Sequence, residues 1–396
     1  MTQQLADHII ENQTARKDES KVYLPQLTGL RAIAALMVFL HHYNPFVGKN
    51  IYLFKFFKEF YVGVLIFFVL SGFLIYTRYI NNFKEKIAAV DYISYCFGRF
   101  VRIYPAYLII FLCWYIPFPF SPKPHLSEVI SGITLTSIFH ANMLLPGHFV
   151  PIPQAWSLTC EMMFYFSAPF LLILLFIKRV KPVLIVLPWI LLGLSLYPVL
   201  KGTPIYILGY TFWGRIIEFI VGIYVGYFAL FHSSSQLVIS KLLASIKLNM
   251  TYFGILSTLL ILFLMSLTTN STNSDFGFFH PVGLGLHHVI LPFAIGTFIL
   301  GLVEEKTLIS QFLSNKLMIL LGNASYVFYL LHIGFLEMFI AKFTHSIFIK
   351  LIFITVVSVL FYKFIEEPIF SFLQVYSKKL ASRLEKSTLG DTVLLK

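Results

Sequence analysis

Ten stretches of this chain approach the length and apolarity needed to cross a bilayer, which takes roughly 20 apolar residues as a helix. They run Leu27 to Tyr43, Tyr61 to Tyr79, Ile103 to Phe120, Trp156 to Ile177, Val183 to Leu200, Phe212 to Phe231, Tyr252 to Leu267, Val289 to Val303, Leu317 to Ile340 and Ile347 to Ile365. The pattern predicts an all-α integral membrane protein, a bundle of about ten transmembrane helices, because helices satisfy their own backbone in lipid. A composition of 58% hydrophobic and 12% charged residues leaves too little polar surface for a water-soluble domain.

The formal charge of +12 is spread over short loops, so it reads as topology and not as a nucleic-acid surface. Arg78, Lys84, Lys86, Arg99 and Arg102, then Lys178, Arg179 and Lys181, then Lys241 and Lys247, then Lys306 and Lys316 fall on one side. The other side holds only Lys49, Lys55, Lys58, Lys123, Lys201 and Lys342. The positive-inside rule therefore predicts that both termini are cytoplasmic. Residues 1–22 read as a polar cytoplasmic extension, residues 23–376 as one transmembrane domain and residues 377–396 as a basic cytoplasmic tail. Cys96, Cys113 and Cys160 have neither disulfide nor metal-ligand spacing. The proline-rich loop from Ser121 to Ala155 is expected to fold over the outer face.

Within the first apolar stretch, LTGLRAIAALMVFLHHY, stand Arg31, His41 and His42. A charge at mid-bilayer costs about 3 kcal/mol even on a lenient scale, so such a residue is a candidate functional group unless it snorkels from a helix end. At 100° per residue His42 lies three turns and about 20° beyond Arg31, on the same face, while His41 is rotated by about 80° the other way. The rise of 1.5 Å per residue separates Arg31 and His42 by roughly 16 Å, the reach of a long flexible carrier arm. Arg99 and Arg102 share another helical face, suited either to phosphate recognition or to anchoring at the cytoplasmic surface.

LTGLRAIAALMVFLHHY resembles the first helix of the acyltransferase 3 family, bacterial membrane proteins that move acyl groups from cytoplasmic acyl-CoA to glycans and other acceptors. GVLIFFVLSGFLI, with Ser71 and Gly72, GRFVRIYPAY, AWSLTCEMMFYF, WGRIIEFIVG, GNASYVFYLLH and YKFIEEP extend the resemblance over most of the chain. Leu65 stands where many members carry an acid, and Met162 where many carry a second acid after Glu161.

The resemblance implies a membrane O-acyltransferase, with acetyl as the expected acyl group and acetyl-CoA or another acyl-CoA as co-substrate. His42, Arg31 and Glu161 are its expected catalytic residues, with His42 as general base and Glu161 orienting or charge-stabilising the imidazole. Arg99, Arg102 and Arg31 are expected to hold the donor's phosphates. Trp156, Tyr165, Ser325, Tyr329 and His332 are candidates for the acceptor side, Trp156 being equally readable as an interface anchor and His332 as a helix bridge. Ser325, Tyr329 and His332 form one stripe at zero, four and seven. The implied partners are a glycan or glycolipid acceptor and the lipid bilayer of the inner (cytoplasmic) membrane, which the chain would cross many times. No metal is implied, and homo-oligomer formation is left open. Arg215 and Glu218 read as an intrahelical pair, and the acids of YKFIEEP as serving a helix end. His125, His140, His148, His280, His287 and His288 read as solvated loop residues. A different class of protein, a proton-coupled transporter or flippase, would use the same buried Arg, His and Glu as a path.

Overall fold

A computed structural model describes residues 23–83, 87–114, 126–136, 152–195, 204–231, 248–269 and 276–375. The polar extension, the basic tail, and His125, His140 and His148 of the outer loop lie outside these residues. The elements in chain order are α1 (Pro25–His42), α2 (Ile51–Phe83), α3 (Ala89–Cys113), α4 (Leu126–Ile133), α5 (Pro153–Ile177), α6 (Val183–Ser195), α7 (Pro204–Tyr210), α8 (Phe212–Phe231), α9 (Met250–Thr268), α10 (Pro281–Glu304), α11 (Leu308–Leu313), α12 (Lys316–Leu331), α13 (Phe335–Ala341) and α14 (Ile347–Val375). Among the described residues there is no strand, and the three cysteines are free.

Seven of these helices are long and apolar enough to span a bilayer, and eight if α12 and α13 count together. Among the described residues this is fewer than the ten stretches read from hydropathy. The run from Val183 yields a 13-residue helix in the described residues. α1, of 18 residues, falls outside the seven. The run from Leu317 to Ile340 is not one rod, because the chain bends by 80° between α12 and α13. Gly334 sits at the break with φ +126° and ψ −154°, a conformation open essentially only to glycine.

Two apolar clusters form the core, and α1, α2, α8 and α12 contribute to both. α1 buries Leu27, Leu30, Ala34, Val38 and Phe39, a stripe at helical spacing that faces its neighbours. α9 presents Leu256, Leu260, Phe263 and Leu267 outward, and α14 presents Phe348, Ile352, Val356 and Leu360. Exposed stripes of this kind at i, i+4 and i+7 are what lipid would cover.

With lipid as apolar as leucine, helices in a membrane gain by approaching closely over small residues. α2 and α8 do so reciprocally: a Cβ on Gly72 would lie 2.1 Å from the Phe219 carbonyl oxygen, and one on Gly222 would lie 2.0 Å from that of Val69. Gly72 is therefore a packing residue. A Cβ on Gly322 would likewise lie 1.9 Å from the Thr28 carbonyl, which sets the crossing of α12 on α1.

These contacts predict that Gly222→Ala cannot be accommodated without separating α2 from α8, at a cost of about 1–3 kcal/mol or more. Gly98→Ala, where a Cβ meets nothing within 4 Å, serves as the control. Thermal melting in detergent should show a lower midpoint for the first and none for the second; equal midpoints would contradict the crossing.

Candidate functional site

Polar side chains gather at both ends of α1. Towards its start, Arg31 is half-buried and lies within electrostatic range of Glu161, Glu366 and Tyr165, with Arg102 on the same side. Glu161 Oε1 accepts from Ser71 Oγ at 2.8 Å and from the Tyr165 hydroxyl. Arg99 donates to the Tyr79 hydroxyl at 2.8 Å and lies over the rings of Tyr79 and Tyr165. Arg102 pairs with Glu366 at 3.5 Å and lies over Phe370. Arg99, Arg102 and Arg31 thus converge on one region lined by tyrosines.

At the other end, His42 closes α1 beside the break between α12 and α13. Its ring is exposed, although protein surrounds it closely. His42 Nδ1 lies 2.9 Å from the Val38 carbonyl and 3.3 Å from His332 Nε2. His332 Nδ1 lies 2.7 Å from the Tyr329 carbonyl. The Tyr43 hydroxyl donates to the His332 carbonyl at 2.6 Å, and Gln154 Nε2 donates to the carbonyls of Leu330 at 2.7 Å and Ile333 at 3.0 Å. The carbonyls that a broken helix orphans are thereby met by side chains of α1 and α5. His41 turns the other way, with Nδ1 2.5 Å from the Lys58 carbonyl.

Several expectations change on this geometry. Glu161 is not a partner of His42; its hydrogen bonds go to Ser71 and Tyr165, because its position on α5 faces α2 and not the end of α1. Ser325 is fully buried and donates to the Gly322 carbonyl of its own helix at 2.7 Å, so it lines no site. Tyr329 is held by Ser157 Oγ at 2.8 Å and the Gln154 carbonyl at 3.1 Å. Trp156 packs within the protein, with the Arg215 guanidinium over its ring at 5.5 Å and Tyr210 and Phe68 at its sides. The stripe of Ser325, Tyr329 and His332 therefore brings only His332 to His42. Gln154 and Tyr43, which hold the break, carry no signal in the sequence beyond their neighbourhood to Trp156 and His42.

A second buried polar group lies between α8 and α10. Arg215 NH1 donates to Glu218 Oε1 at 2.6 Å, as the spacing of three predicts, and also to His287 Nε2 at 3.0 Å. His287 is fully buried, with Tyr61 stacked on its ring, and is no solvated loop residue. The run LHHVI winds into a single wide helical turn inside α10, which turns these histidines inward. Glu218, His287 and His288 offer ligand atoms within 4.8 Å of one another. The Arg215 cation, bonded to Glu218 Oε1 and His287 Nε2, already balances the carboxylate, while Glu218 Oε2, His287 Nδ1 and both ring nitrogens of His288 have no hydrogen-bond partner among the described residues. We assign the cluster no ion.

The architecture is thus that of a multi-helix membrane protein with polar groups at both ends of one internal helix. Residues 24–363 match the family model described as an acyltransferase domain, and the chain belongs to that acyltransferase 3 family. It is 25% identical over 372 residues to the O-acetyltransferase OatA of Staphylococcus aureus, covering 88% of this chain and 57% of that protein. It is 31% identical over 201 residues to the peptidoglycan O-acetyltransferase OatA of Listeria monocytogenes, covering 48% of this chain and 30% of that protein. A putative O-acetyltransferase of Staphylococcus aureus strain COL is 23% identical over 381 residues, covering 87% and 57%. The matched region therefore spans 57% of each of the two Staphylococcus aureus relatives and 30% of the Listeria monocytogenes one. No solved structure matches it.

Removing one partner of a buried pair strands the other charge, at about 3–5 kcal/mol, whereas replacing both by apolar groups of similar volume is far milder. Glu218→Ala should accordingly lower the unfolding midpoint strongly, and Arg215→Met with Glu218→Leu should restore most of the loss. A double variant as unstable as the single one would contradict a stranded charge as the cause of the loss.

Proposed function

We propose that the protein is a membrane O-acetyltransferase that moves an acetyl group from cytoplasmic acetyl-CoA to a hydroxyl of a surface or lipid-linked glycan. The observation that carries the reading is the placement of Arg31 and His42 eleven residues apart on one unbroken 18-residue helix, with His42 exposed at its end and Arg31 partly exposed. Family membership and the O-acetyltransferase names of the relatives support the reaction class. The peptidoglycan in the name of one relative supports a cell-envelope glycan as acceptor.

In this reading both termini are cytoplasmic and the chain lies in the cytoplasmic membrane, with Arg31, Arg99 and Arg102 at the inner end. Their guanidiniums hold the phosphates of the donor, a role suited to their planar, permanently charged forks. The pantetheine arm follows the roughly 16 Å of α1 towards His42. The neutral His42 imidazole takes the proton of the acceptor hydroxyl as that oxygen attacks the thioester carbonyl carbon. The carbon–sulfur bond then breaks, and the proton passes from the imidazolium to the leaving thiolate, so acetyl ester and free thiol are formed. Glu161, bonded to Ser71 and Tyr165, shapes the passage between the two ends and does not orient the base.

Purified protein should transfer labelled acetyl from acetyl-CoA to a glycan acceptor. His42→Ala should lose about 10²–10⁴-fold in rate, the range for a positioned base, while His41→Ala retains most of it. Arg99→Ala with Arg102→Ala should raise KM for the donor. A protein that carries substrate across vesicles and never cleaves the thioester would instead be the transporter.

A further inference from the structure

The two histidines at the outer end of α1 touch each other, and the hydrogen-bonding capacity of their neighbours dictates where the protons sit. His332 Nδ1 faces the Tyr329 carbonyl at 2.7 Å, and a carbonyl only accepts, so that nitrogen carries a proton. A neutral His332 then has a lone pair on Nε2, the atom that lies 3.3 Å from His42 Nδ1. His42 Nδ1 also faces a carbonyl, that of Val38 at 2.9 Å, and so carries a proton too. With both rings neutral, only this arrangement leaves no contact without a proton: the His332 Nδ1 proton serves Tyr329, and the single His42 Nδ1 proton is shared between Val38 and His332 Nε2. Any alternative sets two lone pairs against each other or buries a charged His332 beside His42.

We propose that His332 is a positioning residue for acetyl transfer: its Nε2 lone pair shares the Nδ1 proton of His42 with Val38, which leaves His42 Nε2 as the one nitrogen free to accept the proton of the attacking hydroxyl. The proposal rests on the reading of His42 as the base. When His42 Nε2 takes that proton, the ring becomes an imidazolium whose Nδ1–H strengthens its bond to His332, with no proton leaving Nδ1. His332 serves His42 as the carboxylate serves the histidine of a hydrolase triad, holding tautomer and orientation. Its own place is secured by the break in the chain. The Tyr43 hydroxyl holds its carbonyl, Gln154 holds those of Leu330 and Ile333, and the nearby Lys350 to Glu337 ion pair at 2.6 Å ties α14 to α13. Lys350 also lies over the ring of Tyr43.

The test compares His332→Asn, His332→Gln and His42→Ala in acetyl transfer from acetyl-CoA, with melting curves for each. Asparagine keeps a donor for the Tyr329 carbonyl but stops short of His42, whereas the glutamine amide oxygen reaches the place of Nε2 and can accept. His332→Asn should lower kcat roughly a hundredfold, the low end of what a positioned base contributes, with KM for both substrates and the melting midpoint unchanged. His332→Gln should recover most of that loss. An unchanged kcat in His332→Asn with His42→Ala inactive would overturn the positioning role and leave the base in place. A raised acceptor KM at unchanged kcat would overturn it in favour of substrate contact, and equal losses in the Asn and Gln variants would overturn it in favour of packing. Full activity in His42→Ala would remove the base itself.

Discussion

A broken helix at membrane depth is tolerated only if the backbone groups it frees find partners within the protein. The break between α12 and α13 meets that demand with side chains from two other helices. Gln154 of α5 takes two carbonyls, Tyr43 at the end of α1 takes a third, and His332 turns back onto Tyr329. The same bonds that make the break affordable bring the ends of α1, α5 and α12 to one point. That point is where His42 stands.

Much of the remaining bundle serves to hold α1 in place. Glycines at Gly72, Gly222 and Gly322 let helices meet backbone to backbone, so their crossings are set by contact distance and not by side-chain volume. Buried charge is matched locally: Arg215 with Glu218 and His287, Arg102 with Glu366, Lys350 with Glu337. At the end of α1 near Arg31 the guanidiniums rest on tyrosine faces, where Arg99 combines a hydrogen bond with two ring contacts. Such stacked cations keep their charge available to an anion while the planar group stays oriented.

Apolar runs made the helices legible in advance. Phe212 to Phe231 emerges with the bounds its hydropathy implied, and Arg31 and His42 share one continuous helix as their spacing required. The bend after His332 was hidden, because a count of apolar residues passes straight over Gly334 and its backbone conformation. The resemblance places Glu161 with His42, yet neither a motif nor the cost of a buried carboxylate says which hydroxyl or cation will offset it. His287 was lost to the loops because its inward turn depends on a wide helical turn that no simple period encodes. Periodicity reports which face a residue occupies; the neighbour on that face belongs to tertiary packing.

The account requires the two ends of α1 to be occupied by one molecule at once. A structure of the detergent-purified protein with bound coenzyme A tests that most directly. The account places the donor's phosphates among Arg31, Arg99 and Arg102, and its sulfur near His42 Nε2, some 16 Å along α1. Coenzyme A lying wholly at one end, or bound on the outer surface with its sulfur remote from His42, would contradict it.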